Sequence, residues 1–261
     1  VITCLAIRKT DFKTYIRYVF RIQSVLVICH TIIAIIGSMI GVFDITQNIG
    51  GITRYDFGTL HPNSFAALVF NLIIMGIWLN WHKIKTKHII YMILGSGILY
   101  CFCKTRTNFI AMLVVIGCVY VCRVKHKFVR LIGKIATVII PLLSVAMGTA
   151  IILYTTDNGI VLLLNKALNA RIILGAYALA HEGFTLFGQN MTSLYTETTW
   201  DPIWKLNAFT FDCIYTYMLI NQGIIWLILL TILFARLAKR KNPKDNVAII
   251  AWALYGITEV Q

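Results

Sequence analysis

The sequence predicts an all-α, polytopic integral membrane protein: a helical bundle with a large extracellular loop that carries interfacial helices. Three observations predict it. The 261-residue chain is 59% apolar and 13% charged, with a mean hydropathy of +0.78, well away from the balance of a soluble domain. Apolar runs long enough to cross roughly 30 Å of hydrocarbon recur along it. Eighteen of its 24 Lys and Arg fall on every second connection between those runs, and basic residues near span ends stay cytoplasmic.

Seven spans are expected, near 22–43, 64–81, 89–103, 107–122, 135–154, 213–235 and 247–260. Arg8, Lys9, Lys13, Arg17 and Arg21 precede the first, and Lys83, Lys85 and Lys87 follow the second. Arg123, Lys125, Lys127, Arg130 and Lys134 follow the fourth, and Arg236, Lys239, Arg240, Lys241 and Lys244 follow the sixth. The N-terminal end is therefore expected inside the cell and the long 155–212 loop outside. Basic charge confined to alternate short loops is an insertion signal, so the net charge of +14 does not imply nucleic acid, which needs a basic, aromatic-bearing surface. No linker, repeat or low-complexity segment divides the chain, and one integral domain, residues 1–261, is expected. The chain begins at Val1 without Met and stops at Gln261 as a span finishes, as a piece of a longer protein with further spans would.

Two stretches depart from simple crossings. Residues 89–122 offer 34 positions, or about 51 Å of helix at roughly 1.5 Å each, where two crossings and a turn need about 40 residues or more. The turn Lys104-Thr105-Arg106-Thr107-Asn108 is thus expected to sit low in the outer boundary, with Arg106 partly desolvated. Residues 160–180 are apolar enough to compete as a span, but Asn165, Lys166, Asn169 and Arg171 in the middle oppose a lipid-facing crossing. They are expected to form one or two helices lying on, or dipping into, the outer face.

The chemistry-bearing groups concentrate on the expected outer connections: Asp44, Asp56, Asp157, Glu182, Glu197, Asp201 and Asp212, with Arg54, Arg106, Arg171, His61 and His181. Spans two, four and six begin outside, at His61-Pro62-Asn63-Ser64, Arg106-Thr107-Asn108 and Asp212-Cys213. Helix starts present free N–H groups and partial positive charge, which suits phosphate. Arg54, Arg106 and Arg171 can add bidentate guanidinium donors. His61 and Asp212 are equally well read as helix caps. His30 lies within the first span and reads as packing. The seven cysteines lie mostly in spans, without the spacing of a disulfide framework or zinc site. No Gly-rich phosphate loop, His-Glu-x-x-His or Gly-x-Ser-x-Gly is present, and no Asp-x-Asp pair that would hold a divalent cation beside a nucleotide sugar. An activated lipid already presented outside fits better than a cytoplasmic nucleotide donor.

At these residues the chain resembles a known group. Arg54-Tyr-Asp-Phe-Gly58 with His61-Pro62-Asn63 looks like a loop of Gram-positive polysaccharide polymerases of the Wzy type, in the O-antigen ligase superfamily. Thr105-Arg106-Thr107 is similar to their Ser/Thr-Arg-Thr turn. Asn169-Ala170-Arg171 followed by Leu186-Phe187-Gly188 resembles their Gly-Arg…Leu-Phe-Gly stretch, with Ala170 in place of Gly. Phe211-Asp212-Cys213-Ile214-Tyr215 and Gln222-Gly223-Ile224 resemble the Asp-Asn-x-Tyr…Gly-Ile closing the large loop, with Cys213 in place of Asn. Related ligases often carry His-Asn there, so Asp212 favours polymerase over ligase-like transfer.

The resemblance implies glycosyl transfer at the outer membrane face between undecaprenyl-diphosphate-linked oligosaccharides, giving capsular or exopolysaccharide. It implies Arg106 and Arg171 at the diphosphate, Arg54 as a third clamp, and His61 or Asp212 orienting or deprotonating the acceptor. Neither metal nor cofactor is expected. A flippase and a chain-length regulator are the expected partners, besides substrate and membrane lipid. A non-enzymatic flippase or transporter of lipid-linked sugars would use the same cations, but would carry ionisable groups along its path, and spans two to six hold almost none.

Overall fold

A computed structural model describes residues 11–49, 51–59, 61–126, 128–191, 204, 213–240 and 242–257. Those residues are overwhelmingly helical and cluster into two compact units, one ending at Val129 and the other starting at Arg130. Among the described residues, five helices are long and apolar enough to cross a membrane, or six with a bent pair counted as one span.

In the first unit, α1 (Phe12–Met39) starts ten residues before the expected span, at an Asp11 cap whose carboxylate accepts from the Thr14 N–H at 3.2 Å. Lys13, Arg17 and Arg21 are good helix formers and ride on the helix rather than preceding it. Of the residues of α1 only Ala34 and Gly37 are buried. Ile22, Val25, Leu26, Ile28, Ile33 and Ile36 each remain more than half exposed, as an apolar surface facing lipid would. After α1 comes a β-hairpin, β1 (Thr46–Ile49) against β2 (Ile52–Tyr55), with Gln47 opposite Arg54 and Ile49 opposite Ile52. The all-α expectation missed this short element. Its signal was the Gly50-Gly51 pair between Ile- and Thr-bearing arms, which a two-residue hairpin turn requires.

Next come α2 (Pro62–Leu79), α3 (Thr86–Cys103) and α4 (Arg106–Val119), the last continuing through a π-turn over Tyr120–Val124. The two residues Lys104 and Thr105 join α3 to α4, with Lys104 in the left-handed region at φ 54°. The third and fourth spans extend to 18 and 19 residues. They gain length at the basic ends, so the turn need not sink as far as the expected 89–122 demanded.

In the second unit, α5 (Val129–Tyr154) contains Pro141 and buries Ile132, Ala136, Ile140, Ser144, Met147 and Ile151 on one face, an i+4/i+3 stripe. Then α6 (Gly159–Ala167) and α7 (Arg171–Glu182) meet at 117°. The sixth expected span, 213–235, is not one helix. It comprises α8 (Ile214–Tyr217), a π-turn over Met218–Gln222, a break at Gly223, and α9 (Ile224–Ala238). The last helix, α10 (Pro243–Tyr255), starts four residues before the expected span, where Asn242 caps and Pro243 fits the first turn. It meets α8 through Tyr215 Oη donating to the Ala253 carbonyl at 2.7 Å and the Ile214 N–H donating to the Gly256 carbonyl at 2.8 Å.

Candidate functional site

The hairpin of the first unit packs on one end of its helices through aromatic rings. Phe57 meets Phe65 at 4.6 Å between centroids, and Tyr55 meets Phe102, on the last turn of α3, at 5.4 Å. Arg54, His61 and the α3–α4 turn bearing Arg106 therefore belong to the same end of that unit. Asp56 is buried, and both its carboxylate oxygens are taken. Oδ2 accepts from Gln47 Nε2 and Oδ1 from the Gly58 N–H, each at 2.8 Å. Gln47 lies directly across the hairpin from Arg54. Arg54 Nε is buried without a hydrogen-bond partner, a donor whose desolvation an anion would offset.

His61 is the N-cap of α2. Its Nδ1 accepts from the Asn63 N–H at 3.1 Å, and the Thr59 hydroxyl donates to its carbonyl. In the neutral ring this puts the proton on Nε2, so taking up a second proton at Nδ1 means giving up the cap. Arg106 is the first residue of α4 and is exposed. The expected partial desolvation of Arg106 is by the outer boundary of the bilayer, and an exposed side chain at this helix start is open to it. Behind it, Thr105 and Asn108 are buried, and Asn108 Nδ2 has no hydrogen-bond partner. It borders a void too small for water, beside Ser96, Tyr100 and Met112.

In the second unit Arg171 is the first residue of α7 and only 4% exposed. Its Nη1 donates to the Leu168 carbonyl at 3.0 Å. Two successive left-handed residues, Asn169 at φ 51° and Ala170 at φ 65°, turn the chain sharply before it. The bend is held by Asn165, whose Oδ1 accepts from the Ile172 and Ile173 N–H groups at 3.1 and 3.0 Å. A side chain on α6 thus caps α7 and already uses two of the N–H groups that an anion would want. Gly175 lets α7 approach its neighbours, since a Cβ there would lie 2.8 Å from Ile151 Cγ2 and 2.9 Å from Thr216 Cγ2. Arg171 lies within electrostatic reach of the buried Cys213 thiol. Asp212, its chain neighbour and the other expected acid or base, lies outside the described residues.

The break at Gly223 is filled by main chain. The Ile224 and Ile225 N–H groups donate to the carbonyls of Thr185 and Leu186 at 3.0 and 3.1 Å, and the Gln189 N–H donates to the Asn221 carbonyl at 2.9 Å. The Thr185 hydroxyl accepts from the Gly188 N–H at 3.0 Å. Gly188 (φ 93°) and Gly223 (φ 95°) face each other so closely that a Cβ on Gly223 would stand 2.4 Å from the Gly188 nitrogen. Leu186-Phe187-Gly188 and Gln222-Gly223-Ile224, distant in sequence, are thus one interlocked feature. Sequence reasoning named both stretches but missed that they touch; the paired glycines were the signal.

Among the described residues no three His, Cys, Asp or Glu gather where they could hold a metal ion, and the six described cysteines are unpaired. His30 is exposed, with its ring beside Gly58 rather than in a core. His181 Nδ1 bonds the Tyr177 carbonyl at 2.8 Å within α7.

Comparison with known protein families, characterised proteins and solved structures finds no match to the chain.

Proposed function

We propose that the chain is a membrane glycosyltransferase that polymerises lipid-diphosphate-linked oligosaccharide repeat units at the outer face of the cell membrane. In this reading the N-terminal end is cytoplasmic and residues 155–212 are outside. The observation that carries it is the main-chain interlock of Leu186–Gly188 with Gln222–Ile224, in the same unit as the buried Arg171. Two stretches that resemble parts of Wzy-type polymerases thus meet in one unit, which supports the reading.

The acceptor sugar hydroxyl attacks the anomeric carbon of the growing glycan. The bond from that carbon to the phosphate oxygen breaks, and the hydroxyl proton passes to a base. The resemblance gives Arg106 and Arg171, with Arg54 as a third donor, the role of stabilising negative charge on the departing lipid diphosphate; Arg54 and Arg106 belong to the first unit and Arg171 to the second. His61 or Asp212 takes the proton or orients the hydroxyl. Guanidinium groups supply this stabilisation without a metal.

A second reading, a transporter of lipid-linked sugars, is favoured by one observation. Both the α6–α7 pair and the α8–α9 pair are broken helices, and transporters often bind substrate at interrupted helices. Liposomes holding the protein and synthetic undecaprenyl-diphosphate repeat units separate the two. Ladders of longer glycan are expected, falling about 100-fold or more in Arg171→Ala and Arg106→Ala with insertion intact, the loss typical for a transition-state donor. Vesicle crossing without chain growth would establish the transporter instead.

A further inference from the structure

A groove of about 540 Å³ runs between α1, α2 and α3, at the end of the first unit opposite the hairpin. Its volume is in the range of sites for small molecules, roughly 300–1,000 Å³. Its length is apolar, walled by Phe20 on α1, by Val69, Leu72 and Ile73 on α2, and by Met92 on α3. One end is polar, where Lys83 and His88 reach it. We infer that this groove binds a phospholipid of net negative charge, with one acyl chain along the apolar wall and the phosphate between Lys83 and His88. The proposal is independent of glycosyl transfer.

Charge complementarity identifies the occupant. Lys83, Lys85 and Lys87 stand together at the polar end, all exposed. The start of α1 brings Lys13, Arg17 and Arg21 to the same level: Phe12 touches Trp78 near the end of α2, at 5.7 Å between centroids, and Phe20 lies against Gly76. Against these cations stands Asp11, committed to the Thr14 N–H and hydroxyl. The unit's other described acids, Asp44 and Asp56, belong to the hairpin end. A neutral amphiphile would satisfy the apolar wall and leave this end uncompensated. A free anion would satisfy the cations and leave the wall bare.

The polar end is also built in advance. Arg123 Nε donates to the Trp81 carbonyl at 2.8 Å, and its Nη2 donates to the His82 carbonyl, fixing the short turn that carries Lys83. His88 Nδ1 accepts from the Lys85 N–H at 2.9 Å, so the neutral ring carries its remaining proton on Nε2, ready to donate to a phosphate oxygen. Alternate-loop basic charge alone would orient the chain in the membrane, but it would not require a groove beside it.

The test is native mass spectrometry of the full chain in detergent. The probes are phosphatidylglycerol, phosphatidylcholine with the same chains, and inorganic phosphate alone. Phosphatidylglycerol is expected to be retained at least about ten-fold over phosphatidylcholine, a difference of about 1.4 kcal/mol, with phosphate alone not retained. Lys83→Glu should bring phosphatidylglycerol down to the phosphatidylcholine level. Ser24→Leu, which narrows the groove from α1 without touching a charge, should lower retention of both lipids. Unfolding temperature in lipid-free detergent verifies that each variant folds, and Ile73→Trp replaces Ser24→Leu if that variant does not. Equal retention of the two lipids, retention of phosphate alone, or indifference to either class of variant would overturn the proposal.

Discussion

Single side chains carry the sharpest tests. Ala170 stands at φ 65°, a conformation that costs an L-residue with a Cβ roughly 1–2 kcal/mol and glycine little. Ala170→Gly is expected to stabilise the protein by about 1 kcal/mol, read as a raised unfolding temperature with Arg171 still buried. His61 distinguishes a cap from a base. Asparagine can cap a helix but cannot serve as a proton acceptor near neutral pH. Because Nδ1 caps the Asn63 N–H, His61→Asn is expected to keep stability, and ladders kept with it would leave Asp212 as the group that takes the proton. Ladders lost at unchanged stability would return His61 to the role of base. Asp44 offers a pH test. The N–H and hydroxyl of Thr46 hold its carboxyl below the ordinary value. Its contribution is therefore present above the unfolded carboxylate pKa and lost as pH falls through the lowered one. Faster amide exchange at Thr46 in that acid window is the expected sign, absent in Asp44→Asn.

Elements show what the sequence could and could not reveal. The α6–α7 bend follows from residues already conspicuous as polar in an apolar stretch, Asn165, Asn169 and Arg171. Their polarity identified an interrupted segment, but not that Asn165 reaches across the bend to cap α7. Side-chain-to-backbone bonds between elements leave no periodic trace. Asn165→Ala should cost about 1 kcal/mol and loosen the start of α7, measured by proteolysis near residues 168–172; Asn165→Asp should recover part of the loss. The break at Gly223 was hidden because 213–235 reads as one apolar run. Hydropathy is blind to a main-chain break whose N–H groups another segment satisfies. Helix starts at Pro62, Arg106 and Pro243 were readable to within a few residues, because capping and Pro placement are local chemistry.

On the scale of the whole chain, composition and charge alternation anticipated a helical protein with membrane-length apolar helices, of which five are found among the described residues. Residues 192–203 and 205–212 of the expected outer loop lie outside the described residues, so Asp212 keeps only the role that its sequence neighbours imply. Arg54 and Arg106 share one end of the first unit while Arg171 belongs to the second, and sequence spacing alone could not sort them. The charge alternation makes its own prediction. A membrane-impermeant thiol reagent applied to intact cells should label Thr156→Cys and spare Lys85→Cys. The reverse pattern would invert the topology and remove the outer-face site with it.

The Gly188–Gly223 contact has a consequence for how this chain can vary. Recognition there runs through peptide groups, so Leu186 and Phe187, 59% and 76% exposed, are free to change with little effect on the joint. Either glycine, by contrast, is intolerant even of a methyl group. Gly188→Ala and Gly223→Ala are each expected to lose about 2 kcal/mol or more, and the double substitution should be worse rather than compensated. A joint of this kind has no second-site suppressor among side chains: evolution can decorate it, but it cannot renegotiate it one residue at a time.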